Sequence, residues 1–293
     1  MRHLLRVADL ADGEVDRILA RADELAAGAS PRSGLAPSVA LVFLSSSLRT
    51  RVGFAVAAQR LGARTVEVHE PRWTPAMSDG ESFGDTLRTV SGMVDLVVCR
   101  TPFPLDRATV EACAVAPVVN GGDAGGEHPT QALIDLAALR RRGPVGGLSI
   151  GIVGDLSART ARSLLALLER EPPAELRLIG PEVPDEATVG PALAGRCQRT
   201  PELDLAGLDV LYLVGLPAQI GDVHLDAAER ARWALTAERA AELPAHAVVL
   251  SPLPVVDELA PEVRGDPRVQ AFAQSDHGVH VRAATLELVL AGE

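Results

Sequence analysis

The strongest constraint on this chain is its rhythm. Short apolar runs of β type recur between longer stretches with helical spacing. Residues 10–27 carry apolar side chains three and four apart with charges between them, a helix pattern. Strand patterns follow at 39–44, 65–68, 95–98 and 117–119, interleaved with helical stretches at 49–61, 82–90 and 129–142. Such alternation implies βαβ units, hence a parallel sheet with helices on both faces. The segment RRGPVGG, residues 141–147, mixes charge, proline and glycine and reads as a linker. Beyond it the alternation restarts, with strands at 149–153, 175–179, 210–214 and 247–250 and helices at 158–169 and 226–242. A last helix, 281–290, has no strand after it. The expected class is α/β, with two doubly wound parallel-sheet domains at residues 1–141 and 147–275. Residues 276–293 are expected to form a C-terminal helix that packs back on the first domain. Two such halves make an interdomain cleft the default active site.

The formal net charge of -11 argues against nucleic acid or an anionic membrane as a partner. A small anion is still allowed, because it answers to local charge. Cys99, Cys113 and Cys197 lie far apart with no CxxC, as free thiols in a reducing cytoplasm would. The N-terminus turns acidic too early for a signal peptide, and no apolar run reaches the ~18 residues of a membrane span. A cytoplasmic location follows as the expectation.

The stretch FLSSSLRTRVGF, residues 43–54, joins an apolar strand to a helix. A helix N-terminus has unpaired N–H groups and a partial positive charge, which suit an anion. Ser47 and Thr50 add hydroxyl donors, and Arg49 a planar fork that matches phosphate oxygens. Alone, the same residues read more readily as a helix cap with solvated arginines. Three further strand ends carry polar groups. Arg100 follows VVC, Arg159 opens the helix after GDLSA, and SPLPVVDEL follows VVL. His128 and Gln131 stand at a helix start after the glycine-rich GGDAGGE. Cys99, beside Arg100, reads as strand packing rather than a nucleophile. A dinucleotide-binding dehydrogenase is excluded, since no GxGxxG follows any strand.

Taken in order and spacing, these motifs resemble the aspartate/ornithine carbamoyltransferase family over nearly the whole chain. The family's S-T-R-T-R stands as Ser47-Leu48-Arg49-Thr50-Arg51, and its R-H-P as Arg100-Thr101-Pro102. H-P-T-Q is intact at His128-Pro129-Thr130-Gln131, and P-L-P at Pro252-Leu253-Pro254. The tail FAQSDHGVHVRAATLELVL is similar to the family's closing helix. The resemblance implies that carbamoyl phosphate is held by Ser47, Arg49, Thr50, Arg100 and the Leu48 backbone. Thr50, Arg100 and His128 would face the carbamoyl oxygen. Gln131 and the carbonyls of Pro252 and Leu253 would hold its NH2. Arg49, Thr50, Arg100 and His128 are thus the expected catalytic set, with no metal and no cofactor. The resemblance also implies a homotrimer with shared active sites.

The departures gather on the acceptor side, where Arg159, Gln219 and Ser78 are the expected ligands. The family's R-x-Q is replaced by Gly215-Leu216-Pro217, which removes an arginine for the acceptor's side-chain carboxylate. Asp79 stands where a neighbouring subunit's lysine is expected, and Ala55 replaces a glutamate. The motifs of ornithine enzymes are absent, since the turn reads Ser251-Pro252-Leu253-Pro254. The expected function is carbamoyl transfer from carbamoyl phosphate to a small amino-acid-like amine, with aspartate a poor acceptor unless Arg230 or Arg232 substitutes. A non-catalytic paralogue that binds ligand beside an active partner is the alternative.

Overall fold

Ser38–Phe43 shows why the first half folds as it does. Its β-branched and aromatic side chains are buried from Val39 onward, as a central parallel strand requires. The computed structural model describes residues 2–32, 36–69, 81–181, 189–216, 219–220 and 223–292. The chain divides into two compact units, Met1–Leu133 with His277–Glu293, and Ile134–Asp276.

In the first unit, β1 (Ser38–Phe43), β2 (Arg64–His69), β3 (Leu96–Arg100) and β4 (Val118–Asn120) form a parallel sheet in the order β2-β1-β3-β4. The helices are α1 (Glu14–Ala26), α2 (Leu48–Arg60), α3 (Phe83–Ser91) and α4 (Arg107–Cys113), followed by α5 (Pro129–Arg140). Short α4 went unread in the sequence and is capped by Asp106, which accepts from the Thr109 N–H. Ala40, Val42, Val97, Cys99 and Val118 fill one face of the sheet with Leu87 and Val110.

In the second unit, five parallel strands take the order β11-β8-β5-β6-β7. They are β5 (Ser149–Gly154), β6 (Glu175–Ile179), β7 (Cys197–Thr200), β8 (Val210–Val214) and β11 (Val248–Leu250). The helices here are α6 (Arg159–Leu168), α7 (Pro191–Ala194), α8 (Ala227–Ala231) and α9 (Ala237–Ala240).

Three expectations need correction. The helix expected at 226–242 is two short ones, because Thr236 caps a fresh start by accepting from the Arg239 N–H. Between them Trp233 and Leu235 are buried, and the Leu235 N–H donates to the Glu258 carbonyl. The final helix, α10 (Ala271–Ala291), begins ten residues before the expected 281. Its first turns, AFAQSDHGVH, lack an apolar stripe and so hide from periodicity. The division between the units runs inside α5, after Leu133, rather than at the expected linker 141–147. That helix is continuous, so its composition carries no break.

Each sheet has one point where the strand order reverses, between β1 and β3 and between β5 and β8. The carboxyl ends of strands at such points are where open α/β sheets bind ligands.

Candidate active site

At the β1/β3 crossing Phe43 pairs with Arg100, so the ends of both strands lie side by side. Ser47 is the N-cap of α2, yet its side chain makes no capping bond. The first-turn N–H groups are therefore left uncapped by its half-buried side chain, which keeps them available to an anion such as phosphate. Leu48 is 67% exposed and offers only its backbone to that role. Arg49 is exposed, whereas Thr50 is buried with its Oγ1 3.4 Å from His128 Nε2. Arg100 ends β3, is buried, and donates from Nη1 to the Gly121 carbonyl at 3.1 Å.

Gly122 binds this group together. Its φ is +98°, and a Cβ there would lie 2.7 Å from both Arg100 Nη1 and His128 Cδ2. Gln131, also buried, follows in α5, where its N–H donates to the His128 carbonyl. Thr50, Arg100 and His128 thus converge from three chain segments at the β1/β3 crossing.

Two residues that sequence reasoning missed shape the loop between β4 and α5. Asn120 donates to the Leu5 carbonyl, Asp123 Oδ1 and the Glu127 carbonyl, and accepts from the Gly122 N–H at 2.8 Å. Asp123 accepts from the N–H groups of Leu105 and Glu127 at 2.6 and 2.7 Å. The signal was present, since Asn-Gly-Gly-Asp directly after an apolar strand is a side-chain-supported turn. Cys99 is fully buried, and burial pushes its thiol up to about 12, which accords with packing.

At the β5/β8 crossing Gly154 pairs with Val214 so closely that a Cβ on Gly154 would meet the Val214 carbonyl oxygen at 1.7 Å. Asp155 then accepts from the Ser157 N–H and Oγ and turns the chain into α6, whose first residue is the half-buried Arg159. Gly215 follows β8 directly. After β11 comes the turn Ser251-Pro252-Leu253-Pro254, with a cis Leu253–Pro254 bond and Leu253 at φ 57°. Leu253 alone among the described non-glycine residues has positive φ, and its N–H donates to Ser251 Oγ.

A buried carboxylate organises these segments. Tyr212 Oη donates to Asp135 Oδ2 at 2.7 Å, and Gln274 Nε2 donates to Oδ1 at 2.6 Å. Gln274 in turn accepts from the Ser251 N–H, at the head of the Pro252-Leu253 turn. Burial, then the Asp135 charge, raises the Tyr212 hydroxyl well above its usual range, so it stays a donor; it also hydrogen-bonds Thr160, next to Arg159. Asp135 was legible only as a lone acid in the apolar run ALIDLAAL.

Gln219 opens β9 (Gln219–Ile220), which pairs with β10 (Val223–His224), but its side chain lies outside the described residues, as do Ser78 and Asp79. Arg230 is engaged elsewhere, by Asp257 Oδ2 and the Leu225 carbonyl, both at 2.8 Å. Arg232 is exposed. Among the described residues no cluster of His, Cys, Asp or Glu is placed to hold a metal, and no helix is long and apolar enough to cross a membrane.

Comparison with known proteins gives one answer. Residues 2–141 match the family described as aspartate/ornithine carbamoyltransferase, carbamoyl-P binding domain. The aspartate carbamoyltransferase catalytic subunit of Methanospirillum hungatei is 33% identical over 309 residues, 99% of this chain and 100% of its own length. The aspartate transcarbamoylase of Trypanosoma cruzi, solved with aspartate and phosphate, superposes with a TM-score of 0.83 at 28% identity, over 98% of this chain and 94% of its own. Its carbamoyl phosphate complex also gives 0.83, at 26% identity over 98% and 95%. The chain belongs to the aspartate/ornithine carbamoyltransferase family, as an aspartate carbamoyltransferase-like enzyme.

Proposed function

We propose that this enzyme moves the carbamoyl group of carbamoyl phosphate to the amino group of an amino-acid-like acceptor and releases phosphate. The observation that carries this reading is the convergence of Thr50, Arg100 and His128 around Gly122, beside the open N-terminus of α2. Ser47, Arg49, Thr50, Arg100 and the Leu48 N–H hold the phosphate. Thr50, Arg100 and His128 direct donors at the carbamoyl oxygen, where negative charge grows as the amine attacks. Gln131 and the Pro252 and Leu253 carbonyls hold the carbamoyl NH2. The neutral amine forms the new C–N bond, the C–O bond to phosphate breaks, and the departing phosphate takes the amine's proton. No covalent enzyme intermediate is required, so catalysis is positioning plus charge stabilisation. Arg159 takes the acceptor's carboxylate, with Gln219 and Ser78 assisting.

Phosphate release from carbamoyl phosphate, measured across a panel of amines, tests the reaction. Arg100→Ala is expected to lower kcat/KM by about 10²–10³, the usual loss for a transition-state donor. An unchanged rate would overturn the role of Arg100. No release with any amine would favour a ligand-binding paralogue without turnover.

We also propose a cytoplasmic homotrimer. Leu48 and Val52, one turn apart on α2, and Val66 on the edge strand β2 are 67%, 49% and 51% exposed, an apolar set that a second copy would cover. A monomer by light scattering at micromolar concentration would overturn this. The chain contains no lysine, so no copy of it supplies the lysine that the family resemblance places in a neighbour's site.

A further inference from the structure

Glu258 is a buried acid that the reaction so far does not use. It is 5% exposed and stands eight residues past the end of β11, beside the end of neighbouring strand β8. Its backbone is fixed, because its carbonyl accepts from the Leu235 N–H and the Ala260 N–H donates to the Leu235 carbonyl. One carboxylate oxygen, Oε2, accepts from the Val256 N–H at 2.9 Å. The other, Oε1, is buried with no hydrogen-bond partner among the described residues. A Cβ placed on Gly215 would lie 3.5 Å from Oε1 and 3.6 Å from Oε2. The carboxylate therefore occupies the flank of the position where a side chain at 215 would begin.

A turn-capping role accounts for Oε2 and leaves Oε1 unexplained. A buried carboxylate oxygen without a donor is expensive to keep, and a cation is the partner that best compensates it. Among the described residues no cation is bonded to Oε1, and the exposed Arg264 donates instead to the Val256 carbonyl at 3.3 Å. Arg230 is held by Asp257 and the Leu225 carbonyl. The run from Gly215 to Asp226, GLPAQIGDVHLD, contains no arginine, and its one basic candidate, His224, is exposed. An acidic group brought to Gly215 would meet like charge, whereas an ammonium or guanidinium would complete the pair.

We infer that Glu258 selects the acceptor, taking a positively charged side group of an amino acid whose carboxylate is bound by Arg159. The acceptor class is then a diamino or guanidino acid rather than a dicarboxylic one. The inference rests on the carbamoyltransferase reading of the acceptor half, and the experiment separates the two. Binding is measured by calorimetry with phosphonoacetamide, an unreactive stand-in for carbamoyl phosphate, using L-2,3-diaminopropionate, L-2,4-diaminobutyrate and L-aspartate as probes. Phosphate release is measured in parallel with carbamoyl phosphate.

A diamino acid is expected to bind at least about tenfold more tightly than aspartate, and Glu258→Gln to abolish that preference. Gly215→Arg is the second variant. The Cβ contacts are of ordinary length, so the new guanidinium can reach Glu258, and the preference should turn toward aspartate. Tighter binding of aspartate by the native enzyme, or a preference unmoved by both variants, would overturn the assignment of Glu258. Selective binding of a diamino acid without phosphate release would uphold Glu258 and refute the transferase reading instead.

Discussion

Two glycines at strand ends, Gly122 in the first unit and Gly215 in the second, stand in opposite relations to their surroundings. Gly122 has φ +98° and no room for a Cβ, because Arg100 and His128 lie 2.7 Å from where it would be. Gly215 has no such backbone requirement, and its nearest neighbour, Glu258, lies at an ordinary 3.5 Å. One glycine is demanded by the side chains it brings together, while the other leaves room for a larger residue. The contrast teaches that a missing side chain carries information only when its environment is known. The carbamoyl phosphate half is constrained around a fixed reagent. On the proposed reading Gly215 is a replaceable position in the acceptor half, and a larger residue there is expected to change what binds.

The comparison breaks first at Gly122→Ala. The positive φ alone costs an alanine roughly 1 kcal/mol or more, and the new methyl must displace Arg100 or His128. A loss of at least about tenfold in kcat/KM for carbamoyl phosphate is expected, with the acceptor's KM changed much less. Gly215→Ala should leave carbamoyl phosphate affinity within about twofold. Equal sensitivity at both glycines, in steady-state kinetics with each substrate varied in turn, would erase the distinction drawn here.

Asp135 sharpens the comparison from the other side. It links Tyr212, Gln274 and, through them, Thr160 and Ser251, all in the second unit. Asp135→Asn keeps the volume but turns one of two accepting oxygens into a donor that faces a donor. Hydrogen bonds to charged groups are worth about 1.5–3 kcal/mol, so the unfolding midpoint should fall. Because the Pro252-Leu253 turn and the start of α6 are both positioned by this carboxylate, the acceptor's KM should rise about tenfold. A purely structural role would lower stability and leave the KM of the surviving enzyme where it was.

Legibility in the sequence follows the same divide. Strands such as Val210–Val214 announce themselves because they are buried on both faces and read as continuous apolar runs. Ser47, Arg49, Thr50, Arg100, His128 and Gln131 could be singled out because each stands at a strand end or a helix start, where open α/β sheets bind ligands. Asp135 was not legible, since its partners Tyr212 and Gln274 are distant in sequence, whereas Asn120 and Asp123 carried a local turn signal that went unread. Glu258 was hidden for a different reason. Its charge looks ordinary in SPLPVVDEL, and only the fold sets it against Gly215. The break between α8 and α9 was hidden because Trp233 and Leu235 mimic the helical stripe that they interrupt.

The smallest expected effect concerns pH and should be confined to the first unit. His3 is buried, and its Nδ1 accepts from the Val118 N–H at 3.1 Å, holding the N-terminal segment to β4 just before the Asn120 loop. Burial lowers its pKa below the usual 6.5, and the nearby Glu111 charge only partly opposes this. A depressed pKa in the folded state means the stabilisation is present above about pH 6.5 and lost as pH falls through the lowered value. Protonation also removes the acceptor lone pair, so the loss should be on the order of 1 kcal/mol. Glu127, whose Oε2 accepts from the Val7 N–H, has the opposite sign. Burial raises its pKa, so its contribution improves as pH falls through that raised value and partly masks His3. His3→Asn keeps an acceptor and removes the titration. Urea midpoints at about pH 7.5 and about pH 5.5 should therefore fall further for the native chain than for His3→Asn. Equal falls would show that the tether to β4 does not titrate, and that acid sensitivity in the first unit has another source.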